Sequence, residues 1–269
     1  MEDPNPLVAG GGIAQLRAGG TDVIVCGVYS QAAVASRELN IGFFSRMQRQ
    51  RPWLRLKVAA SLDGRTALQN GTSQWITGEA ARTDGHAWRR RAGAVLTGVG
   101  TVAADNPRLD VRLVSTPHQP LRVLVDSRLD AALSARIFDA PGNALVYCAN
   151  PTAERLAALV ARGVDVQPLP GGVGPNAGKV DLAAMLADLA GRGINELHVE
   201  AGQQLNGSLV RERLVDEFLI YLAPKLLGAG RDMAAFGPLT ELTDALSLRF
   251  HQIERIGDDL RVLARPAAK

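Results

Sequence analysis

The chain is poor in cysteine, with only Cys26 and Cys148 among 269 residues. Neither has a second Cys or a His at ligand spacing, which excludes a zinc site and a disulfide framework. Two buried free thiols and no redox chemistry at sulfur are expected. Aromatic residues are few, Ala and Gly many, as in a soluble globular protein. No apolar run is long enough to span a membrane, and no internal repeat is present. The net charge is only +3, and the basic residues are scattered apart from Arg89-Arg90-Arg91, so a nucleic-acid partner is not expected. The start, Met1-Glu2-Asp3-Pro4-Asn5-Pro6, lacks the basic patch and apolar core of a secretion signal, and the expected location is the cytoplasm. There is no G-x-S-x-G elbow. His86, His118, His198 and His251 fall in no metal or triad motif and read as structural.

What is present after residue 51 is a steady alternation. Strands are expected at 53–60, 93–98, 121–127, 143–149, 164–168 and 196–201, with helices at 78–92, 152–162, 182–191 and 204–213. This predicts a mostly parallel sheet covered by helices. The tail adds an apolar strand over 215–224, then strands 246–256 and 260–264 around the turn Gly257-Asp258-Asp259, an antiparallel hairpin. Before residue 48 lie a short helix at 12–18, an apolar strand at 22–28 and a helix at 31–38, too little to fold alone. The arginine triplet ends the 78–92 helix, where cations suit the dipole; Arg89 is held apart as a ligand candidate.

Ligands in open sheets of this kind lie beyond the carboxyl ends of the strands. In Leu54-Arg55-Leu56-Lys57-Val58-Ala59-Ala60-Ser61-Leu62-Asp63-Gly64, one face carries Leu54, Leu56, Val58 and Ala60, the other Arg55, Lys57, Ala59 and Ser61. The second face either lines a pocket, giving Lys57 a function, or is the wet face of an edge strand. Three Gly-rich segments compete as phosphate binders. Gly98-Val99-Gly100-Thr101-Val102-Ala103 imitates a dinucleotide fingerprint, with Asp126 ending the next strand, but Pro107 leaves only about six residues of helix, too few for that crossover. Gly171–Val180 lacks the glycine and hydroxyl of an ATP loop and reads as a flexible connection. Val199-Glu200-Ala201-Gly202 ends a strand in a carboxylate and opens a helix with free amides, which suits a pyrophosphate; the alternative is a surface glutamate by a tight turn. Asp105 is either a sugar ligand or an Asx-turn residue before Pro107, Arg112 is a candidate phosphate ligand, and Ser127-Arg128 favours the 2′-phosphate of NADP.

Taken together, Lys57–Gly64, Ser73-Gln74-Trp75-Ile76-Thr77, Thr101–Arg112, Val199–Gly202 and Ala223-Pro224-Lys225-Leu226-Leu227-Gly228 resemble the reductase domain of the bacterial riboflavin-biosynthesis deaminase/reductase family over most of residues 50–265. The resemblance implies a dihydrofolate-reductase-like α/β fold, a mixed, mostly parallel sheet flanked by helices with a C-terminal antiparallel hairpin. It also implies NADPH-dependent reduction of a phosphorylated ribosylaminopyrimidine. Lys57, Asp105 and Glu200 then surround the reacting sugar as catalytic residues. Ser73, Arg89, Leu109 and Arg112 bind substrate, and Ala59, Trp75, Thr101, Ser127, Gly202, Gln203, Gln204, Leu205 and Asn206 bind the cofactor. A homodimer through the reductase domain is implied as well. Residues 1–48 resemble the end of the family's zinc deaminase domain, but its H-x-E and P-C-x-x-C motifs are both read as absent from the chain. No deaminase activity and no bound zinc are therefore expected, and stoichiometric zinc on metal analysis of the purified protein refutes this. The rival readings are a related reductase acting on another substrate such as a pterin, and a nucleotide-binding module that has lost its chemistry.

Overall fold

A computed structural model describes residues 2–139, 142–172 and 177–267. The chain divides into two compact units, Met1–Trp53 with Leu186–Asn195, and Leu54–Met185 with Glu196–Lys269. The first unit takes in a segment from far along the sequence. Arg46 Nε donates to Asn195 Oδ1 at 2.6 Å and the Trp53 amide to the Asn195 carbonyl at 2.8 Å, which ties that segment down.

The first unit contains helices α1 (Gly11–Ala18), α2 (Gln31–Leu39) and α3 (Ile41–Arg49). Ser30 caps α2, its hydroxyl accepting from the Ala33 amide. Helix α3 was not foreseen, and the strand expected at 22–28 does not form. That run has no regular secondary structure and turns at Val28; Arg17 and Arg37 donate to the Val23 and Val28 carbonyls. Ile24 stays exposed, and so does Cys26, contrary to the expected buried thiol. A β-prone run without a partner strand has no ladder to join.

The second unit follows the expected alternation. Its strands are β1 (Trp53–Ser61, whose first residue belongs to the other unit), β2 (Arg65–Leu68), β3 (Ala94–Gly98), β4 (Leu121–Val125), β5 (Ala144–Cys148), β6 (Asp165–Pro168), β7 (Glu196–Val199), β8 (Glu217–Ala223), β9 (Gly230–Asp232), β10 (Leu248–Ile256) and β11 (Asp259–Pro266). Between them run α4 (Glu79–Arg91), α5 (Val99–Asp105), α6 (Arg136–Asp139), α7 (Ala153–Ala161), α8 (Leu182–Gly191, whose second half belongs to the first unit) and α9 (Gln203–Arg211). The main sheet has the order β10-β11-β8-β1-β7-β3-β4-β5-β6. β1 pairs parallel with β8, and β3 pairs parallel with both β7 and β4, followed by β5 and β6 in the same sense. The predicted hairpin, β10 with β11, joins β8 antiparallel. This is the dihydrofolate-reductase-like mixed sheet. A small ribbon, β2 with β9, stands apart. Residues 173–176 of the Gly-rich connection lie outside the described residues.

β1 is not an edge strand: β8 and β7 flank it. Leu54, Leu56, Val58 and Ala60 are buried on one face. The other face meets α4. The Arg55 guanidinium lies 4.3 Å from the Trp88 ring centre, and the Lys57 ammonium 5.9 Å from that of Tyr221. Ala81 of α4 and Leu219, Tyr221 and Leu263 of the sheet close this layer. A second core forms around β3, β4 and β5, with Leu129, Ile137 and Leu159 packed on Val95, Leu124 and Val146. Arg55 itself is buried between carboxylates, its Nε 2.6 Å from Glu217 and its Nη1 2.9 Å from Glu196. Arg265 reaches the other Glu217 oxygen at 2.9 Å.

Candidate active site

Glu200 follows the last residue of β7, and its backbone is held by β3: its amide donates to the Leu96 carbonyl at 2.8 Å and its carbonyl accepts from Thr97 Oγ1 at 2.7 Å. The carboxylate is thereby fixed at the carboxyl end of the sheet. Arg89, from the last turn of α4, grips it with both prongs, Nε to Oε1 at 2.5 Å and Nη2 to Oε2 at 2.9 Å. Lys57 Nζ, two strand positions beyond Arg55, lies 3.8 Å from Oε2. Burial alone raises the Glu200 carboxyl's pKa, but Arg89 and Lys57 outweigh it and hold the group well below the usual carboxylate range. Burial pushes the Lys57 ammonium down, opposed by Glu200 and reinforced by Arg89. The third sugar candidate, Asp105, is exposed at the end of α5 and makes no ion pair with Lys57 among the described residues.

Beside this cluster the segment 108–112 presents two more guanidiniums. Asp110 is buried and holds Arg108 Nε at 2.9 Å and Arg112 Nη1 at 2.8 Å, one on each oxygen. Leu109 between them is buried with φ at +55°, a left-handed conformation that costs a branched side chain on the order of 1–3 kcal/mol. It reverses the chain so that Arg108 and Arg112 converge on one carboxylate. Arg89 Nη1 donates to the Asp110 carbonyl at 2.9 Å, linking the two groups. Arg89 is therefore occupied by protein partners, and Arg108 and Arg112 carry the exposed positive charge. Ser73 is half-buried in the loop before α4.

The cofactor candidates divide. Gly202 is exposed at the start of α9, with no side-chain cap on the first turn. A β-carbon there would lie 3.5 Å from Thr101 Oγ1, so the missing side chain leaves space between the starts of α9 and α5. Gln204 is exposed, whereas Gln203 accepts from the Asp232 amide and Asn206 donates to the Ala201 and Met233 carbonyls. Leu205 packs against Gly98, where a β-carbon would come within 3.2 Å of it. Those three are anchors for the turn rather than free ligands. Ala59 lies on the Lys57 face of β1, and Trp75 is exposed with the Arg82 guanidinium stacked 4.6 Å from its ring. The Ser127 carbonyl accepts from the Ala149 and Asn150 amides, and Arg128 pairs with Asp130.

Residues 52–262 match the family model described as the RibD C-terminal domain. The chain belongs to the RibD family. The riboflavin biosynthesis protein RibD of Aquifex aeolicus is 36% identical over 258 residues, covering 96% of this chain and 69% of that protein. RibD of Acinetobacter baumannii superposes with a TM-score of 0.84 at 35% identity, covering 99% of this chain and 71% of that one. A Thermotoga maritima diaminohydroxyphosphoribosylaminopyrimidine deaminase/5-amino-6-(5-phosphoribosylamino)uracil reductase gives 0.80 at 26%, covering 98% and 69%.

Within this RibD chain sequence reasoning overlooked two residues, one in a local turn and one reached across the fold. Arg108 shares Asp110 with Arg112. Lys225 holds the loop before α4 through the Trp75 and Ile76 carbonyls at 3.2 and 2.7 Å. Two histidines read as merely structural adjoin the site. His198-Val199-Glu200 does spell H-x-E, but on β7 and without a cysteine pair; no three His, Cys, Asp or Glu side chains among the described residues gather as metal ligands. His86 Nδ1 accepts from the Arg112 amide at 3.1 Å, and burial, with Arg89 and Arg112, lowers its pKa from 6.5 to about 4. Between those values the unfolded chain holds a proton the folded ring refuses, so stability falls as pH falls from 6.5 to 4, by up to about 3 kcal/mol. Urea midpoints across that range should drop steadily in the wild type and less steeply in His86→Gln, which keeps an acceptor for Arg112. Equal slopes would place the loss elsewhere.

Proposed function

We propose that the chain reduces 5-amino-6-(5-phosphoribosylamino)uracil to its ribityl form with NADPH, and that residues 1–48 are the end of a deaminase domain without deaminase chemistry. The observation that carries this reading is the gathering of Lys57 from the middle of β1 and Arg89 from the last turn of α4 around Glu200 at the carboxyl end of β7, beside two guanidiniums held by buried Asp110. A phosphorylated sugar suits such a site: Arg108 and Arg112 meet the phosphate, with Ser73 and Leu109 lining the approach. The uncapped start of α9 at Gly202, beside Thr101, supports a pyrophosphate there; Ala59, Trp75 and Ser127 complete the proposed cofactor set, with Arg128, paired with Asp130, the candidate for a 2′-phosphate.

NADPH, when bound, supplies hydride to C1′ of the ring-opened imine. As C1′ gains that hydride, the C=N electron pair passes to nitrogen, which takes a proton from Lys57 Nζ; Nζ recovers its proton from solvent. Burial lowers the Lys57 ammonium's pKa toward the range where it can give up a proton, and the Glu200 anion keeps it charged until it does. Asp105, exposed at the end of α5, contributes to proton transfer only if the substrate brings it within reach; unchanged turnover in Asp105→Asn removes it from the mechanism.

The test is loss of reduced-nicotinamide absorbance on adding the deaminated ribosylaminopyrimidine 5′-phosphate, with NADH and dihydrofolate as the comparison cofactor and substrate. Turnover confined to NADPH and the pyrimidine is expected. Turnover of dihydrofolate would support the pterin reading, and NADPH binding without turnover the retired module.

A further inference from the structure

His198 lies on β7 two residues before Glu200, on the same face of the strand. Its ring is fully buried, and neither ring nitrogen makes a fully formed hydrogen bond among the described residues. Buried polar groups without partners are uncommon and costly. The polar atom placed against it is Glu200 Oε1, 3.3 Å from Nε2. A carboxylate has about four lone-pair sites. On Glu200, Arg89 takes one on each oxygen and Lys57 approaches Oε2, which leaves one place on Oε1, on the side His198 occupies.

We infer that His198 is a positioning residue: as the neutral Nε2–H tautomer it directs its one buried donor at Glu200 Oε1, so that Glu200 acts as a fixed anion and not as a proton carrier. This rests on the reductase reading for its consequence in catalysis, but not for its geometry. A neutral ring is consistent with the surroundings, since burial lowers the His198 pKa and Arg55 and Arg89 lower it further, against Glu200. The charged and titratable groups around Glu200 are Arg89 and His86 from α4, Lys57 and Arg55 from β1, Tyr221 from β8, and Asp110 behind Arg89. Of the two imidazoles near Glu200, His86 is engaged through Nδ1 by the Arg112 amide, and His198 is the one with a ring nitrogen directed at Glu200 Oε1. A leucine would fill the same space and lose that donor; a glutamine would keep a donor.

Two measurements on the full chain test the inference. Histidine-ring nitrogen NMR, with His198 assigned by its loss in His198→Leu, should show a neutral Nε2–H tautomer from about pH 5 to 8. Carboxyl-carbon NMR, with Glu200 assigned through Glu200→Gln, should show its titration rising by about one pH unit in His198→Leu and returning toward wild type in His198→Gln. An Nδ1–H or protonated ring overturns the proposal on the wild type alone, even if the leucine variant does not fold. An unmoved Glu200 titration in folded His198→Leu overturns it too. The acidic limb of kcat/KM for NADPH-dependent reduction should move with that titration. A wild type with a correct tautomer but no turnover would instead refute the reductase reading and leave the positioning intact.

Discussion

Lys57→Met lowers kcat by roughly two to four orders of magnitude, with little change in the Michaelis constant for NADPH, because the methionine keeps the stem and removes the proton donor. The expectation follows from where Lys57 lies. Its ammonium faces Glu200 at the strand end and not the space between Gly202 and Thr101 assigned to the nucleotide. An interaction that matters only as charge shifts in the transition state appears in kcat; one that merely holds the cofactor appears in KM. Steady-state kinetics with each substrate varied in turn separate the two, and an equal loss in both would move Lys57 away from the sugar.

The second large effect is on stability. Glu217→Leu should cost about 3–5 kcal/mol, since it removes one partner from an arginine that is buried. Arg55 and Glu217 side chains are each 2% exposed, so water cannot replace the lost partner. Arg55→Met combined with Glu217→Leu should recover most of the loss, because two apolar groups then occupy the space of two charges. Urea unfolding of the two singles and the double closes the cycle. A Glu217→Leu penalty below about 1 kcal/mol would mean that Glu196 alone satisfies Arg55.

Much of this molecule is legible along the chain because alternation is a local signal. Apart from β2 and α6, which were not expected, the strands and helices from Trp53 to Arg211 fall within a few residues of their expected places, and the hairpin turn at Gly257 is where its composition puts it. What the chain order hides is who lies beside whom. From its own residues β1 reads more readily as an edge strand, and only β7 and β8, the latter with Glu217 pairing to Arg55 across 162 positions, make it interior. The same blindness covers the site. Lys57 stands out as a charge inside a strand and Glu200 as one at a strand end, but the two-pronged hold of Arg89 on Glu200 joins elements 111 residues apart, while the convergence of Arg108 and Arg112 on Asp110 and the approach of His198 to Oε1 are local contacts that depend on backbone and side-chain geometry rather than on composition. The apolar run at 22–28 misleads for the converse reason: its composition suits a strand, and among the described residues no strand pairs with it. The small ribbon of β2 and β9 is too short to leave a periodic signal at all.

The order of the sheet also bears on how the chain is made. β1 leaves the ribosome first among the sheet strands, yet both of its neighbours, β7 and β8, are encoded more than a hundred residues later. At about 5–20 residues per second, the 162 positions separating Arg55 from Glu217 take on the order of ten to thirty seconds to synthesise. For most of that interval, until β7 is made, the strand bearing Lys57 has two open edges. The segment made early is enclosed late, and it is there that a nascent chain of this topology is most exposed to aggregation or to capture by a chaperone.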